Sequence, residues 1–218
     1  MKKLAFSILC VLCALSARQA AAQTASNFYV RVDAGGSFPI DTTLAGEQNF
    51  SPSAMVGGGV GFKILPFLRT DVTASYRTDY NENATDPNTF LGQKSEIKSL
   101  AGFFNAYFDI PTGPLPVKPY IGAGLGGARN QVGTTTEFDT LGNNISVTGA
   151  TKTNFAYQAM LGVAFPIFPG IAIDAGYHYV DLGRFTTAGG VSLNGTPGVP
   201  LTGRLKANEI QLGLRVGF

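Results

Sequence analysis

The stretch Glu209-Ile210-Gln211-Leu212-Gly213-Leu214-Arg215-Val216-Gly217-Phe218 alternates without a break. Successive side chains of an extended chain point to opposite sides. Ile210, Leu212, Leu214, Val216 and Phe218 therefore share one face, and Glu209, Gln211, Gly213, Arg215 and Gly217 share the other. Two kinds of protein use such a strand. A soluble sandwich turns the apolar face into its core, whereas a barrel in a bilayer turns it to lipid and lines its lumen with the polar face. This strand alone fits both, so the rest of the chain has to choose.

Seven further segments repeat the pattern. In 28–35, Phe28, Val30, Val32 and Ala34 oppose Tyr29, Arg31, Asp33 and Gly35. In 56–64, Val60 and Phe62 oppose Gly57, Gly59, Gly61 and Lys63, and in 68–77, Leu68, Thr70, Val72, Ala74 and Tyr76 oppose Arg69, Asp71, Thr73, Ser75 and Arg77. The segment 100–110 is less clean because Phe103 and Phe104 are adjacent; the register with Asn105, Tyr107 and Asp109 inward is preferred and places one phenylalanine in the lumen. Segment 119–128 sets Ile121, Ala123 and Leu125 against Gly122, Gly124 and Gly126. Segment 154–165 sets Phe155, Tyr157, Ala159, Leu161, Val163 and Phe165 outward with Gln158 inward. Segment 171–179 sets Ile171, Ile173, Ala175, Tyr177 and Tyr179 against Ala172, Asp174, Gly176 and His178. Each is close to the roughly 9 to 11 residues that cross a bilayer as a tilted strand.

Charge placement separates the two readings. Arg31, Lys63, Arg69 and Arg215 lie on the inner faces with Asp33, Asp71, Asp109, Asp174 and Glu209, and no outward position assigned in these segments is charged. A lysine or arginine facing mid-bilayer costs about 2 to 4 kcal/mol, which would produce this distribution. The connections agree. Those at 65–67, 111–114 and 166–170 are short, whereas those at 37–53, 78–94, 130–150 and 182–204 are long and rich in Thr, Asn, Asp and Gly. Outer-membrane barrels have short periplasmic turns and long external loops, and an even number of strands returns both termini to the periplasm. The expected fold is all-β: an eight-stranded antiparallel up-and-down transmembrane β-barrel.

The N-terminus supplies a route to that membrane. Lys2 and Lys3 precede an apolar run from Leu4 to Leu15 and a small-residue end at Ala20, Ala21 and Ala22. That is the form of a secretory signal peptide, with cleavage before Gln23, so residues 1–22 are expected to be removed and 23–218 to form the barrel. An uncleaved anchor is the competing reading, given Arg18 close to the cleavage site. Cleavage leaves 13 basic against 14 acidic residues and removes both cysteines, Cys10 and Cys13. The mature chain then has no thiol, one histidine, and no basic excess to suggest nucleic acid. No metal and no cofactor are expected.

Several stretches carry a family likeness: Lys118-Pro119-Tyr120-Ile121-Gly122-Ala123-Gly124, Asn105-Ala106-Tyr107-Phe108-Asp109, Gly176-Tyr177-His178-Tyr179-Val180-Asp181-Leu182-Gly183, and the Phe-ended last strand. In order and spacing they resemble the OmpA-like, opacity-type small outer-membrane β-barrels, which include abundant surface proteins of α-proteobacteria. The resemblance implies that Ile210, Leu212, Leu214, Val216 and Phe218 form an assembly signal for the outer-membrane insertion machinery. With the chain ending at Phe218, no cell-wall-binding domain is expected after the barrel.

Three chemical readings compete with a plain barrel. Gly122-Ala123-Gly124-Leu125-Gly126-Gly127 fits the dinucleotide pattern G-x-G-x-x-G, but it lies inside an alternating segment followed by a Thr-rich loop, with no helix N-terminus to hold a pyrophosphate. Its glycines are expected to make room in the lumen. His178, the sole histidine, faces inward on the same side as Asp174. Lipid-modifying barrels would place a nucleophile two residues beyond it, where Val180 stands, and no Gly-x-Ser-x-Gly elbow occurs. A satisfied lumen histidine is expected instead. Finally, the lumen charge network of Arg31, Asp33, Lys63, Arg69, Asp71, Asp109, Asp174, His178, Glu209 and Arg215 could plug the barrel or line an ion path. The glycine-lined faces of the second and fifth segments are expected to leave room for water. The preferred function is a non-enzymatic structural and surface protein that supports the envelope and presents its loops for interaction or adhesion; the alternative is a narrow porin for ions or very small solutes. Expected partners are outer-membrane lipid and lipopolysaccharide, the insertion machinery, and host or surface ligands. The last would meet the four loops, which carry Phe50, Tyr80, Phe90, Leu91 and Phe138.

Overall fold

The computed structural model describes residues 27–40, 51–85, 92–133, 135–138, 144–147, 149–186 and 202–218. The expected signal peptide at 1–22 lies outside them. Ten strands follow one another: β1 Phe28–Ile40, β2 Ser53–Leu65, β3 Leu68–Thr85, β4 Gly92–Asp109, β5 Lys118–Val132, β6 Thr135–Phe138, β7 Asn144–Val147, β8 Thr151–Phe168, β9 Ile171–Thr186 and β10 Thr202–Gly217. Among the described residues there is no helix.

Eight of the strands make the wall. β1, β2, β3, β4, β5, β8, β9 and β10 each pair antiparallel with their neighbour in that order, β10 returns to β1, and the β3–β4 pairing leaves no open edge. Closure removes the unpaired backbone groups that an edge would expose to lipid. The remaining pair, β6 and β7, is a small hairpin that extends β4 at its loop end through Gly92↔Phe138 and Lys94↔Thr136. It occupies part of the connection expected at 130–150.

The wall is inside out relative to a soluble domain. Val60, Leu125, Ile210 and Leu212 are 61%, 61%, 60% and 63% exposed, while Arg69 and Arg77 are each 1% exposed. Apolar side chains thus cover the outside and charged ones fill the inside, as lipid on the outer face demands. In β4, Phe103 faces the lumen and is buried whereas Phe104 is exposed, the register preferred from the sequence.

The strands are longer than the sequence suggested, running to 18 residues in β3, β4 and β8. They exceed the span of a bilayer, so at the loop end the wall rises past the membrane, where the lipid no longer enforces apolar-out alternation. Segments expected as loops are therefore partly wall: 37–40, 53, 78–85, 92–94, 130–132, 182–186 and 202–204. Register shifts between Arg77 and Tyr80 and between Arg204 and Lys206 hide the continuation further. Tyr80, expected in a loop, is buried inside the barrel. Phe50, Phe90 and Leu91 lie outside the described residues, and Phe138 ends β6. On the short-turn side, β8 continues through Pro166 to Phe168, with a register shift at the proline, which cannot donate to the ladder.

Inside, the lumen has two tiers. Towards the short turns it is polar and aromatic. Towards the loops, Tyr80, Ile97, Phe103, Val132, Val180, Leu182, Phe185 and Leu205 form a buried apolar cluster. Sequence reasoning places Phe103 inward but misses the rest of this tier: Tyr80, Val132, Leu182 and Phe185 lie in stretches expected as loop, Ile97 and Val180 just outside the assigned segments, and Leu205 at the register shift between Arg204 and Lys206.

Candidate functional site

The lower tier is built from alternate residues of β1, β3, β4, β8, β9 and β10, which period-two geometry aims at one axis. Arg31 of β1 meets Asp33 on its own strand, with Nη2 2.6 Å from Oδ1 and Nε donating to Oδ2 at 2.9 Å. Its Nη1 reaches Asp71 of β3 at 3.2 Å and donates to the Tyr107 hydroxyl of β4 at 2.9 Å. Asp71 also accepts from the Tyr29 hydroxyl and from Asn105 Nδ2, at 3.1 and 2.7 Å. Asn105 in turn accepts from Gln158 Nε2 of β8 at 2.7 Å. One connected network thus crosses the barrel from β1 to β8.

Arg69 lies below it. Its Nε donates to Asp109 at 3.0 Å, and its guanidinium carbon sits 3.9 Å from the Tyr107 ring centre and 4.8 Å from that of Tyr120. Both terminal nitrogens lack a hydrogen-bond partner, so the rings and the net charge hold this group more than hydrogen bonds do. Arg215 approaches Asp174 at 3.3 Å and lies over the Tyr29 ring, without hydrogen-bond geometry to the carboxylate.

A second network lies higher, against the apolar tier. Glu209 of β10 accepts from Arg77 of β3 through Nε at 2.5 Å and Nη2 at 3.1 Å, and from Ser37 and Gln211 at 2.8 Å each. Ser37 and Tyr80 share a further hydroxyl contact at 2.7 Å. Arg77, inward by the same alternation that placed Arg69, is the cation missing from the sequence-based network. Counting inner-face charges to the end of the third segment would have included it.

Two predicted members behave differently. Lys63 is on the inner parity but exposed at the short-turn rim, and among the described residues it makes no ion pair. His178 is buried, but its Nδ1 has no partner and Asp174 turns to Arg215, so the histidine is not the satisfied one expected. Among the described residues, no His–Asp pairing of a catalytic kind is formed.

Of the two glycine faces, that of β5 differs from expectation. A Cβ on Gly122 would meet the Tyr107 ring at 2.7 Å, and one on Gly124 would meet Gln158 Cγ at 3.0 Å. The space opposite Gly122 and Gly124 is taken by neighbouring side chains. Beside β2 a small cavity of about 20 Å³ remains, bordered by Arg31, Asp33, Gly57, Arg77, His178 and Gln211. That holds about one water.

On the outer face, the last inner-strand motif acquires a structural role. Asp181 is buried, accepts the Gly183 backbone N–H at 3.0 Å, and ion-pairs with Arg204 at 2.7 Å. Gly183 has φ +77°, which a side chain rarely tolerates. The Val180-Asp181-Leu182-Gly183 stretch is thus a carboxylate-held kink at the register shift between β9 and β10.

A closed wall of eight strands, apolar outside and charged within, defines a small transmembrane β-barrel. The chain belongs to the family described as the outer membrane protein beta-barrel domain, whose profile matches residues 7–218. It is 25% identical over 243 residues to the outer membrane protein PagN of Salmonella typhimurium, with 98% of this chain and 99% of that one covered. It is 26% identical over 175 residues to a putative adhesin of Rickettsia conorii, covering 73% and 70%. It is 28% identical over 159 residues to an uncharacterized protein of Brucella abortus, covering 64% of this chain and spanning 55% of that relative. Among solved structures, Neisserial surface protein A superposes with a TM-score of 0.53 at 21% identity, covering 88% and 98%. OprG of Pseudomonas aeruginosa superposes with 0.60 at 16% identity, covering 89% and 96%. These last two share the fold. The chain is a bacterial outer-membrane protein.

Proposed function

We propose that this protein is a surface barrel without a catalytic step, which reinforces the envelope and presents its loop end for attachment. What carries the reading is the filled lumen: two ion-pair networks and an apolar tier above them, with a small cavity of about 20 Å³ beside β2. A plugged scaffold leaves its outer wall and loops as the working surfaces. The similarity to a putative adhesin of Rickettsia supports attachment as the role. The residues 23–218 would form the mature barrel after removal of 1–22. The outward residues Ile210, Leu212, Leu214, Val216 and Phe218 would be read by the insertion machinery before the barrel closes. The experiment is paired: single-channel recording on purified barrel in planar bilayers, and host-cell binding by bacteria carrying loop deletions at 41–50, 86–91, 139–143 and 187–201. Silent bilayers with loss of binding fit the proposal. Sustained openings would replace it with the narrow porin, and undiminished binding by all four deletions would remove attachment.

A further inference from the structure

The outer wall near the loops carries charges that the lumen does not use. Along the outward face of β10, Ile210, Leu212, Leu214 and Val216 give way to Asn208, Lys206 and Arg204 in the direction of the loops. β9 makes the same change through Tyr177 and Tyr179 to Asp181 and Arg184, and β5 passes from Leu125 to Arg129. The levels coincide: Lys206 lies opposite Asp181, Arg204 opposite Arg184, and the Tyr177 hydroxyl donates to Asn208 at 2.8 Å. The apolar-to-polar change with tyrosines at the boundary marks the surface of the outer leaflet.

At that level the described charges of this sector are mostly positive. Among the described residues, the outward faces of β5, β9 and β10 hold Arg129, Arg184, Arg204 and Lys206 against the single carboxylate of Asp181. Asp181 is buried and committed to Gly183 and Arg204, while Arg129 and Arg184 are exposed and the Arg204 side chain remains 52% exposed. On the adjoining strand, Phe38 and Ile40 of β1 stand opposite Asn208 and Lys206. Cations thus rise beside an apolar strip, on a surface that looks sideways into lipid. A ligand matching both carries anionic groups and acyl chains together.

We propose that this sector binds the phosphates of the outer leaflet's glycolipid, lipopolysaccharide, with Arg184, Arg204 and Lys206 on phosphate oxygens and an acyl chain along Phe38 and Ile40. Guanidinium groups pair with phosphate through two parallel hydrogen bonds, and Asp181 holds Arg204 in a fixed place for that contact. The level at the long-loop end selects the outer-leaflet glycolipid over the phospholipid of the inner leaflet.

The test uses the full mature barrel in phosphatidylcholine vesicles containing diphosphoryl lipid A, lipid A stripped of its phosphates, or phosphatidylglycerol, with bound lipid counted by native mass spectrometry. The variants are Arg184→Gln/Lys206→Gln, which keeps the Asp181–Arg204 pair, the triple variant adding Arg204→Gln, and the short-turn control Lys118→Gln. Retained heat-modifiable gel mobility verifies folding. The expected result is retention of diphosphoryl lipid A by the wild type and Lys118→Gln, with a loss on the order of 10- to 100-fold in the double variant or without phosphates. Retention of the stripped lipid at the wild-type level, binding by the folded double variant within twofold of wild type, or preference for phosphatidylglycerol would each overturn the proposal.

Discussion

Replacing Glu209 by alanine removes the acceptor of four hydrogen bonds inside a fully buried site: two from Arg77, one from Ser37 and one from Gln211. Ser37 keeps Tyr80, but Arg77, itself 1% exposed, keeps only Ser75 at 3.0 Å. A buried guanidinium without its counter-charge costs about 3 to 5 kcal/mol, whereas replacing both members of such a pair by apolar groups of similar volume is often near neutral. Glu209→Ala is therefore expected to lose about 4 kcal/mol and Arg77→Met about 3 kcal/mol, while Arg77→Met/Glu209→Leu loses less than about 2 kcal/mol. The chain contains no tryptophan, so unfolding in lipid vesicles is followed by circular dichroism across a urea series, with gel mobility reporting the folded fraction. A double variant as unstable as the sum of the two single ones would show that the pair is not coupled. A Glu209→Ala loss below about 1 kcal/mol would show that water reaches Arg77, and the filled-lumen reasoning would fail with it.

Leu212→Arg places a charge on the lipid face mid-band and should cost about 2 to 4 kcal/mol in the same urea assay; a neutral result would argue that this face does not meet hydrocarbon. Gly183→Ala forces a side chain into φ +77° and against Asn154, and should cost about 1 to 2 kcal/mol, whereas Gly127→Ala, with only Asn154 O at 3.6 Å, should stay within about 0.5 kcal/mol. Equal values for the two would remove the kink from the account of β9. Phe218→Ser should lower the amount of heat-modifiable barrel reaching the cell surface, while protein refolded in vitro keeps wild-type stability; unchanged surface levels would count against the assembly role.

The wall was readable because lipid penalises one mistake heavily: an outward charge in the band. That rule placed Arg31, Arg69, Asp71 and Arg215 correctly from order alone. It weakens where the wall leaves the bilayer, so Tyr80 and Leu182, one beyond the shift after Arg77 and the other at the Gly183 kink, have the sequence character of loop although both are buried. Pairings were not readable either. Arg77 and Glu209 are 132 positions apart, and alternation says which way each points but not which strand it faces. Glycines misled in the opposite direction, since a missing side chain on β5 is an opening for Tyr107 and Gln158, not for solvent.

The return of β10 to β1 has a consequence in time as well as in space. Arg77 is made early, on the third strand, and its carboxylate arrives on the last one. In a barrel open at its seam, Arg77 would stand apart from Glu209, which lies on the other side of the β1–β10 seam. Ring closure brings the two charges together, so a chain truncated before its tenth strand would lack this ion pair as well as the seam.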